Sequence, residues 1–262
     1  MIPAEFDYVV PGSLEEALQA LQEGGEDAKL LAGGHSLLPL MKLRLAAPSL
    51  LVSLGKVPGL SGIERSNGGF SIGAMTRHAE IAESQELGVA AHAASLIADQ
   101  QVRNRGTIGG SIAHGDSAGD LPTVFLAAEG NVTARGPNGE RQIQATEMFK
   151  SFLTTAVGPD EVVTSVYMPA MEGYGWGYEK FVRRSEDWAM VGVCAVVKSS
   201  GGTCEDVRIG LTHMGSVPLR ATAAEQAAEG TNPPGDVNAT PDYKKHLARV
   251  LTRRALMSAV GS

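Results

Sequence analysis

Two glycine-rich stretches, Ala32-Gly33-Gly34-His35-Ser36 and Thr107-Ile108-Gly109-Gly110-Ser111, lie about 75 residues apart, and each joins an apolar run to a turn or helix start. Glycine has no Cβ, so a backbone built from it reaches positive φ and lets a ligand come close while successive N–H groups stay free for an anion. A single Gly-Gly pair is an ordinary turn signal. Two in analogous places make a diphosphate ligand the leading expectation, and the chain must then fold so that both loops meet.

The 262 residues are enough for two medium domains or one large one. A net charge of −7 without a basic stripe argues against a nucleic-acid partner. Arg249, Arg253 and Arg254 read instead as the solvated face of a C-terminal helix. Cys194 and Cys204, the two cysteines, are too few for an iron–sulfur cluster or a cysteine-rich zinc site. Cys194, inside the apolar run from Val191 to Val197, reads as a buried core thiol. No secretory signal and no apolar run of membrane-spanning length is visible, so the expected setting is a reducing cytoplasm.

Ser13-Leu14-Glu15-Glu16 has the form of a capping box opening a helix from about Ser13 to Glu23, which Gly24 and Gly25 stop. Lys29 to Ala32 and Ser49 to Leu54 read as buried strands around the first loop, with Pro39 in the first turn of a helix. A second unit follows: a strand at Gly69 to Ile72, a helix around Thr76 to Gln85, an alanine-rich segment from Val89 to Asp99, and the second loop. Asp120-Leu121-Pro122 then starts an apolar helix ending near Ala128, with Asp120 as its N-cap. Asn131 to Arg135 and Glu161 to Met168 resemble strands. From Tyr174 the pattern changes to longer strands, Tyr178 to Arg183, Ala189 to Lys198 and Val207 to Thr212, which predict a second domain built on an antiparallel sheet. Helices around Ala221 to Ala228 and Tyr243 to Val260 close the chain, joined by a Pro- and Gly-rich link from Gly230 to Pro241.

Neither loop is a Gly-x-Gly-x-x-Gly fingerprint or carries the Gly-Lys-Ser/Thr of an NTPase, so phosphates would be held by backbone. Ser36, Thr107 and Ser111 could add hydroxyl hydrogen bonds, and Lys29 or Lys180 positive charge. Gly115-Asp116-Ser117-Ala118-Gly119 competes as a nucleophile elbow, with His213 and His246 downstream and Asp160, Asp187 and Asp206 as candidate orienting acids. Its surroundings fit an esterase poorly, because turn-formers flank Ser117 and the helix begins only at Asp120. The six histidines show no i, i+3 or i, i+4 pairing with one another, which leaves a metal site unsupported.

Met1-Ile2-Pro3, Phe6-Asp7-Tyr8, Leu31 to Leu37, Met41-Lys42-x-Arg44, Ile97-Ala98-Asp99, Val102 to Ser111 and Gly115-Asp116 together resemble the FAD-binding medium subunit of the carbon monoxide dehydrogenase type, within the molybdenum hydroxylase (xanthine oxidase) family. Gly177 to Lys180, Arg184, Asp187 and Ile209 to Thr212 extend the likeness over nearly the whole chain. It implies an α+β protein: a two-subdomain FAD-binding domain of PCMH/VAO-like type over residues 1–172 (subdomains about 1–56 and 57–172), then a C-terminal domain of antiparallel sheet plus helices over 173–262. By that likeness Lys29, Leu30, Leu31, Ala32, Gly33, Gly34, His35, Ser36 and Leu37 wrap the flavin's diphosphate and ribityl region. Thr107, Ile108, Gly109, Gly110 and Ser111 form the second half of the cradle, with Ile97 and His114 nearby. Asp120 is expected to bond the adenosine part or a neighbouring loop, Val163 and Lys180 to lie by the ring system, and Asp187 and Trp188 to stand close to the isoalloxazine. Ser111 departs from the asparagine that the family often has there.

The resemblance further implies that the chain does no substrate chemistry. A large subunit with a molybdenum cofactor would hydroxylate the substrate, and a small subunit with two 2Fe–2S clusters would pass electrons to FAD in a dimer of heterotrimers. The implied location is the cytoplasm, with peripheral attachment to the inner membrane face as an option. A stand-alone FAD-dependent oxidoreductase, a flavin-binding module that passes no electrons, and a serine esterase using Ser117 are the rival readings.

Overall fold

The computed structural model describes residues 2–201, 203–221, 233–236 and 238–261. Three sheets organise these residues. The first is parallel, with β1 (Asp7–Val9), β2 (Ala28–Leu31) and β3 (Leu50–Ser53) in the order β1-β3-β2. Helix α1 (Leu14–Gly24) connects β1 to β2, and α2 (Leu37–Lys42) connects β2 to β3. Ser13 caps α1 as expected, its Oγ accepting from the Glu16 N–H at 3.1 Å. Glu16 reaches one residue further back than a capping box requires, accepting from the Gly12 N–H at 2.7 Å. Gly25 ends the helix at φ +58°, a conformation that suits glycine.

The second sheet is antiparallel. It consists of β4 (Ile63–Ser66), β5 (Gly69–Gly73), β6 (Asn131–Gly136), β7 (Gly139–Gln144) and β10 (Val162–Pro169), in the order β4-β5-β10-β6-β7. Between β5 and β6 run the helices α3 (His78–Glu83), α4 (Val89–Ser95), α5 (Gln100–Arg103), α6 (Ile108–His114) and α7 (Asp120–Ala128). The short α8 (Ala145–Met148) and a hairpin of β8 (Phe149–Ser151) and β9 (Thr154–Thr155) precede β10. All nine residues of α7 are buried, as suits a helix that is apolar nearly all round.

The third sheet is an antiparallel meander of β11 (Tyr174–Phe181), β12 (Val191–Ser200), β13 (Thr203–Thr212) and β14 (Leu219–Ala221). The sequence predicts β12 at its true length but two residues early, starts β11 four residues late, and misses the first four residues of β13, of which Thr203 to Glu205 are exposed. Strand β12 is buried on both faces, and alternation along it explains why. Val191, Val193 and Ala195 face Leu247, Ala248, Leu251 and Ala255 of α9 (Pro241–Gly261), whereas Cys194 and Val196 join the core around α7. Burial pushes the Cys194 thiol up to about 12, which leaves it inert at neutral pH. The backbones approach closely on both sides of this sheet. A Cβ on Gly177 would strike the Ala255 carbonyl, and one on Gly210 would lie 2.8 Å from the Thr123 carbonyl. Ala221 ends β14, and the rest of the helix expected to Ala228 lies outside the described residues.

Helix α9 is fixed at its start by Lys244, fully buried, whose Nζ donates to Asp236 Oδ2 at 2.8 Å. The same carboxylate accepts from the N–H groups of Asn238 and Ala239. Against the upward pull of burial, these donors bring the Asp236 pKa down to about 2. A carboxylate depressed in the folded state contributes stability above its unfolded value near 4 and loses it as pH falls toward about 2. Asp236→Asn leaves a buried ammonium without its counter-charge and should cost about 3 kcal/mol in urea unfolding at pH 7. The gap to wild type should shrink between about pH 4 and 2. Equal stability at pH 7 would contradict the assignment.

Candidate functional site

The three sheets meet around one cavity of about 600 Å³, within the range of small-molecule and cofactor sites. It opens beyond the carboxyl end of β2, where ligands of parallel sheets commonly bind. Of the site residues read from the sequence, all but Ile108 line it: Lys29 to Leu37, Ile97, Thr107, Gly109 to Ser111, His114, Asp120, Val163, Lys180, Asp187 and Trp188. Ile108 points instead into the core among the alanines of α4 and the strands β5 and β10. It is the first residue of α6, and the turn of the helix carries its side chain away from the cavity.

The two glycine loops differ in what they offer. The second is the opening of α6. Thr107 is its N-cap, with Oγ1 accepting from the Gly110 N–H at 3.2 Å. The N–H groups of Ile108 and Gly109 donate to the carbonyls of Thr76 and Ala74 at 3.1 and 2.9 Å. Those donors are therefore committed to the fold, contrary to the expectation of a free second cradle. The first loop is different: among the described residues, the N–H groups of Gly33, Gly34, His35 and Ser36 find no protein acceptor. Gly34 stands at φ +81°, which strains any residue with a Cβ. Four successive free donors at a positive-φ glycine make an anion-binding concavity.

The fold itself also requires the bareness of Gly33. A Cβ there would run into the Arg105 carbonyl and lie 2.8 Å from the Gly106 Cα. Its bareness lets the first loop lie on the backbone leading into the second. Gly109 is equally closed, with Ala74 Cβ at 2.5 Å from a built Cβ.

At the other side of the cavity, β11 supplies Lys180 and α7 supplies Asp120. Asp120 is the first residue of its helix and Gly119 is the cap, so the expected N-cap role is not what the carboxylate does. Its Oδ1 accepts from Tyr178 OH at 2.6 Å and its Oδ2 from Lys180 Nζ at 2.9 Å. Local spacing could not reveal partners 58 and 60 residues away. Lys180 also donates to the Leu96 carbonyl at 2.9 Å. Side chains of Asp120 and Lys180 are 4% and 5% exposed, so this is a dry ion pair. Burial raises the Asp120 carboxyl pKa, opposed by the Lys180 charge and the Tyr178 hydrogen bond. Burial beside Asp120 keeps the Tyr178 phenol protonated and a donor. Trp188, 58% exposed, stands at the rim.

Several groups in or behind the cavity wall escaped sequence reasoning. Glu161 takes a bidentate pair from Arg141 at 2.6 and 2.8 Å and accepts from the Gly158 N–H at 2.6 Å, which pins the wall from Thr155 to Pro159. Arg103 donates to the carbonyls of Ile97 and Ala98 at 2.7 and 2.9 Å, holding Ala98 at φ +40°. His78 lies beneath Gly106, and among the described residues neither of its ring nitrogens has a hydrogen-bond partner. Burial first, with the Thr107 backbone acting against it and His35 adding to it, lowers its pKa to about 4. Tyr178, which holds Asp120 from behind the cavity wall, did have a sequence signal, its i, i+2 spacing from Lys180 on one strand face.

The elbow reading of Ser117 fails on geometry. Ser117 is buried and lies outside the cavity lining. The His213 N–H donates to the Ser117 carbonyl at 2.7 Å, and its Nδ1 sits 2.8 Å from the Ala189 carbonyl. That imidazole faces a backbone carbonyl rather than a nucleophile.

Residues 4–171 match the family described as the FAD binding domain in molybdopterin dehydrogenase, and residues 176–259 match the CO dehydrogenase flavoprotein C-terminal domain. The chain belongs to the molybdopterin dehydrogenase FAD-binding family. It is 40% identical to the carbon monoxide dehydrogenase medium chain of Hydrogenophaga pseudoflava, over 99% of this chain and 98% of that one. It is 39% identical to the 6-hydroxypseudooxynicotine dehydrogenase complex subunit alpha of Paenarthrobacter nicotinovorans, over 99% and 96% of the two chains. The solved carbon monoxide dehydrogenase of H. pseudoflava lacking the Mo-pyranopterin moiety matches with a TM-score of 0.97 at 42% identity, over 100% of this chain and 99% of that one. Relatives in this family are medium subunits of multi-subunit oxidoreductases, and FAD is the family's cofactor on this chain.

The donor set fits that cofactor: four free amides and a left-handed glycine for a diphosphate, and an apolar wall with one buried cation for a ring system. Gly33→Ala should force the loops apart and cost about 1–3 kcal/mol in denaturant unfolding, as overpacking does. Gly110→Ala, whose Cβ would lie 2.8 Å from Thr107 Oγ1, should cost about 1 kcal/mol by displacing the cap. A Gly33→Ala variant as stable as wild type would show that the junction is looser than described.

Proposed function

We propose that this chain is the flavoprotein arm of a molybdenum-containing hydroxylase complex, with FAD bound in the cavity between the glycine loops and Lys180. The observation that carries the reading is the run of four N–H groups from Gly33 to Ser36 that have no acceptor among the described residues, in a cavity that a buried cation also lines. In this reading the diphosphate lies on that run, and the hydroxyls of Thr107 and Ser111 supplement it. Val163, Ile97 and Trp188 flank the isoalloxazine, and Lys180 meets its polar edge. When bound, FAD supplies a centre that takes up two electrons and hands them on singly or in pairs.

Electrons would reach the flavin from 2Fe–2S clusters on a small partner subunit, and substrate would be hydroxylated on a large subunit carrying the molybdenum cofactor. The two cysteines suit that division, because neither Cys194, buried in a sheet, nor the exposed Cys204 can form a cluster site. The assembly proposed is a dimer of heterotrimers in the cytoplasm. No helix among the described residues is long and apolar enough to cross a membrane. The domain limits proposed are 1–172 and 173–262.

The chain expressed with the genes adjacent to its own should purify yellow, with one FAD per chain released by acid and with molybdenum and iron–sulfur subunits attached. Lys180→Met leaves the buried Asp120 carboxyl without its cation and should cost about 3 kcal/mol in urea unfolding; in the folded chain it should weaken FAD by about tenfold, the effect of losing one charge-assisted hydrogen bond. A colourless chain that takes up no added FAD would overturn the reading.

A further inference from the structure

Tyr178 does not line the cavity, yet it touches the pair that does. It stands two residues before Lys180 on β11, so both side chains project from the same face of the strand. Its hydroxyl donates to Asp120 Oδ1 at 2.6 Å, and Lys180 donates to Asp120 Oδ2 and to the Leu96 carbonyl, each at 2.9 Å. An ammonium has three N–H donors, so one remains. All three side chains are at least nine-tenths buried, and the other groups acting on the Tyr178 hydroxyl, Thr212 and Cys194, carry no charge.

We propose that Tyr178 is a positioning residue for the flavin: by holding one oxygen of Asp120 it moderates that carboxylate's pull on Lys180, leaving the third ammonium N–H for the charge that reduction places on the ring. The inference rests on the FAD reading above. Two-electron reduction with uptake of one proton leaves the flavin with one net negative charge, concentrated at its pyrimidine edge. A cation free to face that edge stabilises the reduced form more than the oxidised form. Without the phenol, both oxygens of a dry carboxylate have Lys180 as their donor. The ammonium is drawn toward Asp120 and away from the ring.

The test is the flavin midpoint potential of the FAD-loaded complex, reduced with dithionite in the presence of mediator dyes, for wild type, Tyr178→Phe, Lys180→Met and the double variant at saturating FAD. Phenylalanine keeps the packed ring, so affinity for oxidised FAD should stay within about twofold of wild type by fluorescence titration. Reduced FAD should bind about tenfold more weakly, which for a two-electron couple lowers the potential by about 30 mV. In the Lys180→Met background the same change should move the potential by nothing measurable, because the phenol acts through the ammonium. A potential unmoved by Tyr178→Phe, a shift of equal size in both backgrounds, or loss of oxidised FAD from Tyr178→Phe would each overturn the proposal. A wild-type complex without flavin would overturn the FAD reading itself.

Discussion

The contact of Gly33 with the backbone of Arg105 and Gly106 is the constraint on which the site depends. It joins a loop leaving a parallel sheet to one entering a helix over an antiparallel sheet, at a distance that no side chain permits. With the two backbones in contact, the first loop lines the same cavity as Thr107, Ser111 and Val163. The second loop spends its own donors on Ala74 and Thr76. That expenditure holds it still, and a still surface suits a ligand bound through backbone geometry rather than through mobile charge.

The third sheet contributes from the other side, and its grip is polar. Asp120 is buried at the start of an otherwise apolar helix, where an isolated carboxylate would be costly. Lys180 and Tyr178 on β11 make it tolerable, and Thr123 and Thr212 add a second buried bond between α7 and β13, 2.8 Å between hydroxyls. A hydrophobic replacement of the ion pair would serve packing at least as well. Its placement at a cofactor cavity accounts for its presence better than stability does.

Much of this was legible in the residues, and the exceptions share a cause. Ser13 and the Gly24-Gly25 stop act through neighbours, so sequence spacing sufficed for α1. Strand β7 escaped because it is an edge strand with Ile143 as its one buried residue, which leaves no alternation to detect. Asp120 looks like a cap because the local rule sees only the next turn, whereas its partners arrive with a different sheet. The sequence pairs the two glycine loops but makes them look equivalent. Which amides are free depends on the carbonyls of Ala74 and Thr76, and tertiary packing alone decides that. The family resemblance located the cavity's residues well, since twenty-odd positions spread along the chain fold to one place, with Ile108 turned away by the helix it begins.

Of the two glycine loops, the first is the one whose N–H groups have no acceptor among the described residues, and the proposed diphosphate would lie there. Amide hydrogen exchange, resolved by residue with and without FAD, tests it most directly. FAD should slow exchange strongly at Gly33, Gly34, His35 and Ser36 and leave Ile108 and Gly109 almost unchanged, since those two are already bonded. Protection gained at Ile108 and Gly109, with none at Gly33 to Ser36, would contradict it.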